Sequence, residues 1–125
     1  AGKGQHTKMA NQIALAGAVA SVSEAIAYAR RTGLDVETML ASISKGAAGS
    51  WQITNNAPKM VAGDMAPGFF IKHFIKDMAI ADEEAKAAGL TMPVLEEVLE
   101  MYRELDRRGE GDLGTQAVIH YFDEK

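Results

Sequence analysis

The chain contains no cysteine among its 125 residues. That excludes a thiol nucleophile, a thiolate metal site and a disulfide framework, and it is compatible with the cytoplasmic location we expect. There is no excess of positive charge either. The formal net charge is −4, so nothing favours nucleic acid as a partner. No run of 18 uncharged apolar residues occurs, and no membrane span is expected. The N-terminus lacks the basic and apolar pattern of a secretory signal. His6, His73 and His120 have no metal-ligand spacing, no H-E-x-x-H is present, and no metal site is expected. No stretch alternates with period two, so strands are not expected. In "GKGQHT" Thr7 stands where a dinucleotide fingerprint needs its third glycine, and no strand precedes it. The chain therefore has no visible nucleotide-phosphate loop of its own. It opens on Ala1 rather than Met, which suggests a fragment of a longer protein.

What is present reads as one all-helical domain, long enough to bury a core without staples. The first helix is expected from about Thr7 to Arg31. Arg30 and Arg31 suit the negative end of its dipole, and Gly33 suits the left-handed residue after its stop. Met9, Ile13, Leu15, Ala16, Val19, Val22 and Ile26 cover nearly its whole surface, the pattern of a helix surrounded by neighbours. Asp35 is a candidate N-cap for a short helix carrying Val36, Met39, Leu40 and Ile43, stopped by Gly46. A third helix starts near Ser50 or Trp51 and should fade around Pro58. "AGDMAPGF" is a loop. Two longer helices follow, from about Phe70 to Ala88 and from Pro93 to a stop at Gly109 and Gly111. A short helix over about Thr115 to Phe122 closes the chain, and the tail "DEK" is expected to be frayed.

Few residues are candidates for chemistry. Lys8, Asn11 and Gln12 stand at i, i+3 and i+4, so their side chains meet on one helix face. In the first turns of a long helix, free amide groups and the positive dipole end favour an anion. Partial burial there would lower the lysine pKa and suit it to general acid/base work. A solvated first turn would carry the same residues. Lys76 and Asp77 lie in a helix with apolar neighbours, and Lys76 either points into a cleft or joins Lys72 and Glu83 in a surface stripe. Ser50 is explained by capping and Trp51 by the core, or both face a ligand. "DEEAK", Asp82 to Lys86, reads as a solvated face.

Five separated segments then carry a resemblance, in order and spacing, over nearly the whole chain. They are "GKGQHTKMANQ", "SEAIAYARRTGLD", "GAAGSW", "APGFFIKHFIKDMAIADEEAKAAGLTMP" and "EMYRELDRRGEGDLG". Together they resemble the β-hydroxyacid dehydrogenases, the family of 3-hydroxyisobutyrate dehydrogenase, tartronate semialdehyde reductase and, more distantly, 6-phosphogluconate dehydrogenase.

The resemblance implies an all-α helical bundle built around a long first helix, like the C-terminal domain of 6-phosphogluconate dehydrogenase. Residues 1–125 would be the C-terminal substrate and catalytic domain, with the N-terminal Rossmann domain outside this chain. It implies an NAD- or NADP-dependent hydride transfer on a small 3-hydroxyacid or its semialdehyde, in a cleft between the two domains. Lys8 takes the position of the family's catalytic lysine. Gln12 stands where the family usually has asparagine, with Asn11 just before it, and these two with Ser50 fall on the substrate side. Lys76, Asp77 and Phe69 fall on the cofactor side. A homo-oligomer is expected, because so apolar a first helix would otherwise expose a large patch. The alternative is a non-catalytic oligomerisation or ligand-binding module of the same fold. Members that lost activity tend to replace the lysine, and Lys8 is intact.

Overall fold

The computed structural model describes residues 2–123. Six α-helices and a closing 3-10 helix follow one another: α1 Lys3–Thr32, α2 Val36–Ile43, α3 Trp51–Asn55, α4 Ala57–Ala62, α5 Ile71–Ala87, α6 Pro93–Arg107 and the 3-10 helix Thr115–Phe122. Among the described residues there is no strand, only an isolated antiparallel bridge between Phe70 and Gly114. Glu124 and Lys125, two of the three residues of the expected frayed tail, lie outside the described residues.

The helix ends follow from local chemistry. Gly33 closes α1 with φ 80°, and its N–H and that of Leu34 both reach the Ala29 carbonyl. Asp35 caps α2 by accepting from the Thr38 hydroxyl at 2.6 Å and the Thr38 N–H at 3.0 Å, and these bonds hold its carboxyl below the usual range. Ser50 caps α3 by accepting from the Ile53 N–H at 3.1 Å.

Several expectations need correction. α1 begins at Lys3, about a turn before Thr7. Pro58 does not end helical structure: the chain breaks at Asn56, and Pro58 sits in the first turn of α4, where its missing N–H costs nothing. Trp51 is 66 % exposed and is not core. "DEEAK" is not simply solvated, because Lys86 pairs with Asp82 at 2.8 Å and with Glu96 of α6 at 3.0 Å, tying α5 to α6. The Asp82 hydrogen bond, then the Glu96 bond, raise the Lys86 pKa.

α1 contacts every one of the other elements. Ala16, Ala20, Ser23 and Ala29 are buried on it, small enough for neighbouring backbones to come close. By length and composition alone α1 is long and apolar enough to cross a membrane, contrary to the reading from uncharged runs. Here 44 % of its most apolar stretch is buried, against the domain's own helices. Phe74 and Tyr102 pack edge-to-face at 5.0 Å where α5 meets α6. The Tyr102 ring is fully buried, its hydroxyl donates to the Thr115 carbonyl at 2.7 Å, and burial pushes the phenol well above its usual pKa.

The loop between α4 and α5 is clamped by the chain around Gly114. Gly114 N–H donates to Met65 O, Thr115 N–H to Phe69 O, and the Gln116 amide to both Asp64 O and Ala66 O at 2.9 Å. A side chain at Gly114 would run into the Gln116 amide. Gly114→Ala should therefore push the nearly buried Gln116 amide off both loop carbonyls and destabilise the fold by about 1–3 kcal/mol. Urea unfolding reads this, and a change under about 0.5 kcal/mol would show that Gln116 does not hold the loop.

Candidate active site

Lys8 and Asn11 lie exposed near the start of α1, while Gln12 on the same face is only 7 % exposed. The Gln12 amide bridges two helices. Its nitrogen donates to Asp77 Oδ2 of α5 at 3.1 Å, and its oxygen accepts from the Asn11 amide at 3.1 Å. A chain Asn11–Gln12–Asp77 thus joins the two segments that the sequence singled out 65 residues apart. Gln12 carries one methylene more than asparagine, and here that reach is used on Asp77 rather than on open solvent.

Two sequence-based expectations about this face change. Because α1 starts at Lys3, its free first-turn amides precede Lys8, so Lys8 does not sit at the helix's anion-binding end. Lys8 is also exposed rather than partly buried in this chain.

Beside Asn11 opens a cleft of about 420 Å³. α1 contributes Asn11 and Leu15. α3 contributes Trp51 and Gln52. Asn56 and Lys59 come from the start of α4, and Gly68, Phe69, Thr115 and Gln116 from the clamped loop and the 3-10 helix. The volume suits a small-molecule site, with apolar walls and a few placed polar groups. Phe69 is held by Phe74, with ring centroids 5.7 Å apart.

Of the residues singled out in the sequence, Asn11 and Phe69 line this cleft. Gln12 and Asp77 stand behind Asn11 as its support. Lys8 is one turn before Asn11 and Gln12, and Lys76 is exposed on α5 beside Asp77. Neither lysine is among the residues lining the cleft. The exposure of Lys76, Lys72 and Glu83 also fits the surface stripe, and Lys72 is paired with Asp112 at 2.6 Å. Ser50 lies next to the cleft through Trp51, and its oxygen is engaged as the α3 cap. His120 is hydrogen-bonded to Glu110 at 2.7 Å, away from these groups.

Sequence reasoning missed Gln52, Asn56, Lys59, Thr115 and Gln116. The spacing of Gln52 and Asn56, four apart, was the one visible signal, and the structure shows Asn56 donating to Gln52 Oε1 at 2.6 Å. Gln116 gave no cue, because a buried glutamine inside "TQAVIHYF" looks like any polar residue until its loop partners are known.

As a test of cofactor fit, the cleft offers amides, an aromatic ring and an ammonium, a donor set suited to a small acid or to the amide end of a nicotinamide. No glycine-rich turn at a helix start lines it for a pyrophosphate.

Residues 2–122 match the family described as the NAD-binding domain of NADP-dependent 3-hydroxyisobutyrate dehydrogenase. An uncharacterized oxidoreductase of Bacillus subtilis is 52 % identical over 118 residues, covering 94 % of this chain and 41 % of that protein. A probable mitochondrial 3-hydroxyisobutyrate dehydrogenase-like protein of Arabidopsis thaliana is 43 % identical over 118 residues, with 94 % of this chain and 35 % of that one covered. Among solved structures, a 3-hydroxyisobutyrate dehydrogenase from Salmonella typhimurium superposes with a TM-score of 0.87 at 30 % identity, over 94 % of this chain and 41 % of that one. The Mycobacterium tuberculosis 3-hydroxyisobutyrate dehydrogenase solved with L-serine gives 0.90 at 27 % identity, over 99 % and 45 %. The chain spans about two fifths of the length of the curated relatives it matches. With the all-helical fold and the family match running nearly end to end, the chain belongs to the NAD(P)-dependent 3-hydroxyisobutyrate dehydrogenase family.

Proposed function

We propose that the whole protein transfers a hydride between NAD or NADP and a small 3-hydroxyacid or its semialdehyde, and that residues 1–125 form its C-terminal substrate domain. The observation that carries this is the Asn11–Gln12–Asp77 chain, which sets an amide at the edge of a small-molecule cleft one turn from Lys8. Lys8 has no ion pair or side-chain hydrogen bond among the described residues. An exposed, uncommitted lysine beside a cleft fits a site whose other wall is a second domain. L-serine, named with the Mycobacterium tuberculosis structure, is itself a 3-hydroxyacid.

A bound nicotinamide supplies the hydride acceptor in one direction and the donor in the other. Lys8 takes the hydroxyl proton as the alcohol is oxidised and returns it to the carbonyl oxygen on reduction. Asn11 is the amide that meets the substrate, and Gln12 positions it, since both ends of the Gln12 amide are already engaged. Ser50 adds a hydroxyl at the substrate side. Phe69, Lys76 and Asp77 form the cofactor side, with Phe69 giving a ring face and Lys76 an ammonium. Self-association belongs to the same proposal: Tyr28, Leu34, Leu90 and Val94 leave apolar surface exposed.

In the full-length protein Lys8→Ala should lower kcat by about 10²- to 10⁴-fold with the fold intact. Steady-state kinetics with both cofactors on a hydroxyacid panel checks this, and turnover within a few-fold of the unsubstituted protein would sink the assignment. The 125 residues alone should give no nicotinamide-dependent turnover, because they lack a dinucleotide loop. Measurable activity from the isolated piece would show that the second domain is dispensable.

A further inference from the structure

We propose that Gln52 and Asn56 form a pair that recognises a hydroxyl, and that the substrate is a 2,3-dihydroxyacid rather than a 3-hydroxyacid with an alkyl branch. This rests on the dehydrogenase reading above and chooses among the hydroxyacids within it.

Gln52 lies on α3 and Asn56 at the junction of α3 and α4, and both line the cleft. They are 6 % and 7 % exposed. The Asn56 amide donates to Gln52 Oε1 at 2.6 Å, and neither side chain has another hydrogen bond among the described residues. An amide has a donor end and an acceptor end, so one bond between two amides leaves one NH2 and one C=O over. Turning both amides end for end keeps the bond and leaves the same two groups. Neither group is sealed in. The buried side-chain polar atom without a partner among the described residues is Asp82 Oδ1, so the leftover amide ends reach solvent, and the cleft is the opening that both residues line. Thr115, also on the cleft wall, is 6 % exposed, and its hydroxyl has no hydrogen bond among the described residues.

A donor and an acceptor held together by their shared bond match a small neutral group that is both at once, a hydroxyl. An alkyl group would cover the two ends and give neither a partner. An ammonium gives the NH2 no acceptor, and Lys59 on the wall of the same cleft repels it. In the smallest 3-hydroxyacid the carboxylate takes C1 and the reacting carbinol takes C3, so the substituent left for the pair is the one on C2. Asn11 serves the reacting end and shares the cleft of about 420 Å³ with the pair. The pair therefore selects hydroxyl over methyl at C2. The cleft is open, and water can stand in for a missing hydroxyl, so the selection falls below the roughly 10⁴-fold of a sealed hydrogen-bonding site.

The test is steady-state kinetics on the full-length protein with three substrates that differ only at C2, each as both enantiomers: glycerate with a hydroxyl, 3-hydroxyisobutyrate with a methyl and serine with an ammonium. In kcat/KM glycerate should lead 3-hydroxyisobutyrate by about 10- to 100-fold. Asn56→Leu and Gln52→Met, close to the originals in volume, should each bring that ratio below about threefold, with thermal melts confirming that the variants fold. A lead for 3-hydroxyisobutyrate or for serine overturns the dihydroxyacid and leaves the dehydrogenase reading intact. A ratio that survives in a folded Asn56→Leu or Gln52→Met overturns the pair. If neither variant folds, a structure with bound glycerate decides, and a C2 hydroxyl farther than about 3.5 Å from both amides overturns the pair. No turnover of any substrate, alongside glycerate binding that depends on Asn56 in calorimetric titration, would sink the dehydrogenase reading and leave the pair standing.

Discussion

Everything in this domain is arranged by the packing of other elements onto α1. A single 30-residue helix that touches all six other elements can do so only if its surface is both apolar and small. Ala16, Ala20, Ser23 and Ala29 meet the second condition, and Val19, Val22 and Ile26 the first. Extra methylenes at such sites typically cost 1–3 kcal/mol, because a core at crystal-like density has no room to give. The same close approach lets α3, α4, α5, α6 and the 3-10 helix all pack onto α1. The cleft beside Asn11 is where α1, α3, α4, the clamped loop and the 3-10 helix fail to close completely.

Polar groups inside this packing are paired off one by one. Gln12 is satisfied by Asn11 and Asp77, Gln116 by two loop carbonyls, and Tyr102 by Thr115. Ser23, fully buried on α1, returns its hydroxyl to Ala20 O at 2.6 Å. An unsatisfied buried group costs more than a satisfied one contributes, so such pairs specify a packing rather than simply strengthen it. Among the described residues the one buried side-chain polar atom left without a partner is Asp82 Oδ1, while the exposed lysines that stay unpaired include Lys8 at the edge and Lys59 on the cleft wall. The family to which the chain belongs gives these lysines a chemical setting.

The helices were largely legible because their signals are local. Gly33 in the left-handed region, the Asp35 and Ser50 caps and Pro93 in a first turn each act within four residues of their own position. Sequence pattern and structure part where local signals compete. Gly4 weakens the start of α1, yet the helix runs through it to Lys3. Pro58 suggests an ending, yet it suits a beginning equally well. Trp51 and Asp82 depart from the burial their residue types suggest for a different reason. Residue type gives an average preference for burial, while the actual burial depends on which helix lies opposite.

The same division holds for the site. Spacing by itself determined that Lys8, Asn11 and Gln12 share a face, since helical period sets that directly. It determined the all-helical class and the placing of Gly33 and the loop at Pro67, because backbone preferences are properties of single residues. Only the tertiary structure decided that Gln12 reaches Asp77, that Asn11 rather than Gln12 meets the cleft, and that Lys59 lies there without a counter-charge. Those are relations between side chains tens of residues apart, and they exist only once the elements have packed around α1.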